Sequence, residues 1–201
     1  ASLDVAAAMM DEPAGPTLMD ETIQDAISFR KAMSSVAHRL RTEDDGGGGW
    51  FFRLFQPEQV TDPADGSTHL FEAAHDDLLA TNSSCWTLKP GEDWHGFQDE
   101  DIADEYCMLD PTKVTILMPG LSAQGKVDTW GIPAAILTEF LDSRRVEIAR
   151  TGDYTVLVLF SVGTSKGKWG SCRENRFDFK RLDDNEAPLE EALPELVAKY
   201  S

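Results

Sequence analysis

Trp94-His95-Gly96-Phe97 is the segment whose residue types best suit work at a functional surface. A histidine titrates near working pH, and a neighbouring glycine lets backbone approach a ligand closely. The competing reading makes His95 a hydrogen-bonded structural histidine, because no nucleophile or ligand spacing accompanies it. His38 falls in a helical pattern, and His69 and His75 likewise lack the partners of a base or a metal ligand. Cys85, Cys107 and Cys172 form no C-x-x-C pair, and their odd number fits reduced, buried or incidental thiols. Gly46-Gly47-Gly48-Gly49 lacks the lysine and hydroxyl of a phosphate-cradling loop and reads as a flexible surface loop. Lys166, Lys168 and Arg181 offer cations for an anionic effector, with a plain solvated basic face as the alternative.

These residues sit in a 201-residue chain with a net charge of -18, which argues against nucleic-acid binding, since phosphates call for basic patches. A 41% hydrophobic content is that of a folded, soluble protein, and a chain of this length can bury a sizeable core. The longest apolar run, Tyr154 to Val162, is strand-length, short of the roughly 18 to 20 residues of a membrane helix. With no secretory pattern at Ala1, the expected compartment is the cytoplasm. Clusters such as Asp99-Glu100-Asp101 and Glu190-Glu191 are solvated faces on the plain reading. On a sharper one, their mutual repulsion keeps subunits apart until acid protonates them.

The elements that must position these groups follow from periodicity. Ile23, Ala26, Ile27, Phe29, Arg30, Met33, Val36, Ala37 and Leu40 recur at helical spacing over 17–41, and Pro13 to Pro16 separates this helix from another over Ala1 to Met10. A sequence that opens inside a helical pattern without a capping residue is expected to belong to a longer chain. Trp50 to Phe55, Cys85 to Leu88 and Val114 to Met118 read as strands, and Thr61 to Gly66 as a turn. Ile132 to Leu141 reads as a helix, Val146 to Arg150 and Tyr154 to Phe160 as two strands, the second apolar enough to be covered on both faces. A helix from Lys166 and another from Pro188 to Tyr200 complete an α/β (α+β) arrangement, a mixed sheet with covering helices.

Gly131 to Gly170, with Leu109-Asp110-Pro111-Thr112-Lys113 and Trp94-His95-Gly96-Phe97, resembles the C-terminal portion of the bacterial Orn/Lys/Arg decarboxylases, and the resemblance covers nearly the whole chain. It implies fold type I, pyridoxal 5'-phosphate as cofactor, and loss of an α-carboxylate as carbon dioxide with the pyridinium as electron sink. It also implies a homo-oligomer, a dimer that gathers into larger assemblies at low pH. Residues 1–45 are then a helical segment from the end of the cofactor-binding domain, and 46–201 a C-terminal α/β domain with a loop insertion at about 57–84.

In that family the cofactor lysine follows a histidine in Ser-x-His-Lys, whereas none of Lys31, Lys89, Lys113, Lys126, Lys166, Lys168, Lys180 and Lys199 does. No residue here is expected to be catalytic or to hold the cofactor, and the chain alone is expected to be inactive. The 57–84 segment is similar to an insertion of the acid-inducible arginine decarboxylases, so arginine leads lysine and ornithine as substrate. The ornithine- and lysine-preferring members that the chain resembles tend to carry a glutamate near the position of Ala149. Here Glu147, on the same expected strand face, is the carboxylate for a substrate's distal cation, with His95 and Trp94 as the other substrate-binding candidates. Cys172, Arg173 and Arg176 weigh against burial of the helix from Lys166. A catalytically dead, self-standing module that binds decarboxylase subunits and modulates their assembly is the competing reading.

Overall fold

Two helices open the computed structural model, which describes residues 2–43, 50–98, 100–102, 107–122, 124–162 and 166–200. Helix α1 is Ser2–Met10 and α2 is Ala14–Glu43; the break falls at the Pro/Gly segment, and Pro16 is tolerated in the first turn of α2, whose N–H groups lack intrahelical partners anyway. The 30 residues of α2 make a rod about 45 Å long. Its stripe packs as the spacing predicts. Ala26, Phe29, Met33 and Ala37 enter the main core, while Ile27 enters a second, smaller one.

The strands are β1 (Arg53–Leu54), β2 (Gln59–Thr61), β3 (Thr68–Leu70), β4 (Lys113–Leu117), β5 (Arg150–Thr151) and β6 (Thr155–Leu159). Four of them form a sheet in the order β1-β4-β6-β5. Helices pack on a sheet as expected, but every strand pairing among the described residues is antiparallel rather than mixed. Strands β4 and β5 run the same way, joined through helix α4 (Ala134–Ser143), yet the turn closed by Gly152 N–H donating to Thr155 O at 2.8 Å folds β6 back between them. Pairing places Val114 opposite Val158 and Ile116 opposite Val156 on the core face, and Lys113 opposite Leu159 on the other. Strand β6 is therefore not covered on both faces: Val156 is buried, but Leu159 is 47% exposed.

Local chemistry shortens other expected strands. Trp50, Phe51 and Phe52 turn their rings onto helix α5 (Lys166–Asp184), with Phe51 5.1 Å from Phe177 and Trp50 Nε1 donating to Asp183 Oδ2 at 2.9 Å, so only Arg53–Leu54 pairs as strand. Ser83–Cys85 is a 3-10 turn rather than strand, because the Asn82 side chain accepts from Ser84 N–H and Trp86 N–H donates to Ser83 O. Helix α5 is buried along one side after all: Arg176 and Phe179 are in the interior, Arg176 lying over the Phe29 ring. The side chains of Lys166, Lys168, Cys172 and Arg173 lie outside the described residues. The expected last helix is two, α6 (Leu189–Ala192) and α7 (Pro194–Tyr200), since Pro194 has no N–H to continue the first.

The segment expected as a loop insertion is folded. Strands β2 and β3 make a hairpin with Val60 opposite His69, followed by a 3-10 turn at Phe71–Ala73 and helix α3 (Asp76–Thr81). Its core of Val60, Phe71, Ala74, Leu79, Cys85 and Trp86 rests on Ile27 of α2. Arg30, on the same helix, is fully buried. Its guanidinium donates to Pro111 O at 2.9 Å, to Gln56 Oε1 at 3.0 Å and to Lys113 O at 3.0 Å, which ties α2 to the entry of β4. Among the described residues no helix is long and apolar enough to cross a membrane.

Candidate functional site

The Trp94 loop is closed by its own backbone, Gly91 N–H donating to Phe97 O at 2.8 Å and Gly96 N–H to Glu92 O at 3.0 Å. Gly96 has φ +74 and leaves only 3.0 Å between an added Cβ and Gln124 Cα, so both the turn and the close approach favour glycine. Gln124 Nε2 donates to Asp93 O at 2.8 Å and holds the loop to the neighbouring segment. Trp94 packs edge-on against Phe55, which follows β1, at 5.2 Å.

His95 lies behind Trp94 with its side chain fully buried, its ring 4.6 Å from the indole and stacked on Phe97 at 5.3 Å. Its Nδ1 accepts from Phe97 N–H at 3.0 Å, which assigns the proton to Nε2. Nε2 finds no hydrogen-bond partner among the described residues and faces Glu92 Oε2 at 3.7 Å, the oxygen that already accepts from Trp94 Nε1 at 2.8 Å. Burial pushes the imidazole below its usual range, and the Glu92 charge opposes that shift. His95 is thus a buried ring held by Phe97 N–H, its Nε2 too far from Glu92 for a hydrogen bond.

Glu92, Asp93 and Trp94 form one wall of a cleft of about 580 Å³. The opposite walls are the C-terminal half of α2 with His38 and Arg41, the connection from β1 to β2, and Glu72 after the hairpin. His38 Nδ1 is 3.6 Å from Glu72 Oε1, and Arg41 Nη1 is 3.2 Å from Glu58 Oε1. Arg53 donates from Nη2 to Leu121 O at 3.1 Å. Sequence reading passed over Glu72 and placed His38 only in a helix, because the two stand 34 positions apart and meet only through the fold of the 57–84 segment. Arg30 did carry a signal: a charge within an apolar helical stripe marks a buried, partnered group.

The other candidates are dispersed. Glu147 is exposed and precedes β5, whose pairing begins only at Arg150, so the expected strand face does not carry it. Strands β1 and β5 are opposite edges of the sheet, three strand spacings or about 14 Å apart, and Glu147 and Trp94 belong to opposite edges. His69 Nε2 is 2.8 Å from Ser67 Oγ, and His75 caps α3 through Nδ1. Arg181 pairs with Asp178 at 2.9 Å. The Cys85 thiol is pushed up by burial, and no three His, Cys, Asp or Glu side chains converge on a metal position among the described residues.

This architecture is that of the basic amino-acid decarboxylases: the chain superposes on lysine decarboxylase A from Pseudomonas aeruginosa with a TM-score of 0.76 at 43% identity, over 96% of the chain and 23% of that protein. The constitutive lysine decarboxylase of Escherichia coli gives 0.75 at 37% identity, over 98% and 24%. Residues 1–168 match the model of the Orn/Lys/Arg decarboxylase major domain, and the chain belongs to that family. It is 44% identical to the biodegradative arginine decarboxylase of Escherichia coli over 100% of the chain and 26% of that protein. It is equally 44% identical to LdcA, a lysine decarboxylase of Pseudomonas aeruginosa, over 98% and 23%. The chain thus spans about a quarter of the length of these relatives.

Pyridoxal phosphate requires a lysine amine open to its aldehyde. Lys31 Nζ is held by Ala74 O and the Asp76 carboxylate, Lys113 by Asp110 and Lys180 by Asp184, while Lys89 and Lys126 are exposed. None of these lines the cleft. The described residues do not fit the cofactor's attachment.

Proposed function

We propose that this chain is the C-terminal part of a pyridoxal-phosphate-dependent decarboxylase of a basic amino acid, arginine to agmatine ahead of the alternatives lysine and ornithine, and that the cofactor lysine lies elsewhere in a longer polypeptide. Residues 1–45 continue from the cofactor-binding domain in this reading and 46–201 form the accompanying α/β domain, working in the cytoplasm in polyamine synthesis or acid resistance. The observation that carries the decarboxylase reading is the 44% identity, across nearly the whole chain, to an arginine and equally to a lysine decarboxylase; the preference for arginine rests on the likeness of the 57–84 segment to an insertion of the arginine enzymes. Trp94 is the ligand-facing wall and His95 the buried ring that backs it.

Two measurements test the reading. The 201-residue chain mixed with pyridoxal phosphate is expected to form no amine product, whereas the longer polypeptide releases agmatine faster than cadaverine or putrescine. Amine formed by the chain alone, or none by the longer polypeptide, refutes it. The longer protein is a homo-oligomer whose acidic surface limits assembly, so it is expected to sediment as a larger species at about pH 5 than at pH 8, where carboxylates are charged. Unchanged sedimentation refutes that part.

A further inference from the structure

We propose that the cleft between α2 and the Trp94 loop binds a free aliphatic amine or guanidine that carries no carboxylate. That this is the product of the decarboxylation rests on the proposed function; the cleft's preference for such a cation rests on its own geometry. Four carboxylates border it, Glu58, Glu72, Glu92 and Asp93, against Arg41 and Arg53. Both arginines are engaged already, Arg41 with Glu58 and Arg53 with Leu121 O. The charge left over is negative. A ligand carboxylate would meet it unfavourably, and a cation would not.

Glu92 is presented for such a ligand. Its Oε2 takes the Trp94 indole N–H and faces the buried, otherwise unpartnered His95 Nε2, while Oε1 has no bond among the described residues. The Trp94 indole holds one carboxylate oxygen and leaves the other for a cation, so part of the ordering that binding requires is already made. Glu72, its side chain only 17% exposed, faces the same space beside His38. Leu70, which is exposed, and the Trp94 indole supply apolar surface for an alkyl stem and a ring for the cation. The volume of about 580 Å³ is that of a small-molecule site, within the common ~300–1,000 Å³.

Titration calorimetry of the protein with agmatine, cadaverine and putrescine, each against its parent amino acid, tests this. The amine is expected to bind about tenfold or more tightly than its parent, and Glu72→Gln and Glu92→Gln each to weaken it about tenfold, the loss of one charge-assisted bond. Glu190→Gln, on α6 away from the cleft, should leave binding unchanged. Absence of amine binding, equal or tighter binding of the amino acid, or full affinity in both cleft variants overturns the proposal. If the longer polypeptide forms no amine while the cleft variants still lose diamine affinity, the decarboxylase reading fails and the cation site stands.

Discussion

Replacing Arg30 with methionine tests the central joint of the structure. The substitution keeps an unbranched stem of similar length but strands three acceptors, Pro111 O, Gln56 Oε1 and Lys113 O, each within 3.0 Å of a guanidinium nitrogen. Each orphaned acceptor costs about 1–3 kcal/mol. Part of that is offset because a buried charge no longer has to be desolvated, so the net loss is expected near 3–5 kcal/mol, as for other buried charges stripped of a partner. Against a total of about 5–15 kcal/mol for a native domain, this is a large share. Burial lowers the Arg30 guanidinium to about 9, with Asp110 opposing, so it remains charged at neutral pH. The folded state then holds fewer protons than the unfolded one only above about pH 9, where stability should rise with pH on this group's account. Urea unfolding followed by tryptophan fluorescence measures both quantities. A loss below about 1 kcal/mol, or one that varies between pH 6 and 8, would refute the assignment of Arg30 as a charged staple. Arg30→Lys should recover less than half, since an ammonium lacks the planar fork that reaches all three acceptors.

Two further outcomes follow from backbone and burial. Gly120→Ala, at φ +91 with an added Cβ only 2.5 Å from Gly131 Cα, should lose roughly 1–3 kcal/mol, and thermal melting should fall by about 3–10 °C; an unchanged melting temperature would contradict the described turn. Because burial holds His95 below the imidazole value of 6.5, the unfolded chain binds more protons as acid is added, and stability should decline as pH falls through that value. In His95→Asn the difference between urea midpoints at pH 7.5 and 5.5 should shrink, and an undiminished difference would assign that pH dependence to other groups.

The helical stripe of α2, the helix–strand–turn–strand order after Gly131, and membership of the decarboxylase family were all legible in residue order. Each depends on interactions within a few residues or on long matching motifs. The strand expected at Cys85 was not, because Asn82 and Ser83 capture nearby N–H groups and the Trp86 indole donates to Leu79 O at 2.8 Å, a competition that β propensity does not register. The mixed sheet failed for a related reason: periodicity gives strands but not their neighbours, and the Gly152 turn decided which pair β6 would divide.

Sequence alone therefore determined the family and the absence of a Ser-x-His-Lys lysine within these 201 residues. Only the tertiary structure decided that His95 is buried behind Trp94, that Glu147 lies on the other sheet edge, and that Glu72, His38 and Glu92 share a cleft. The physical reason is separation along the chain. The 57–84 hairpin and helix bury their own small core against Ile27, and that packing carries Glu72 to within 3.6 Å of a histidine on α2 that no local pattern pairs with it.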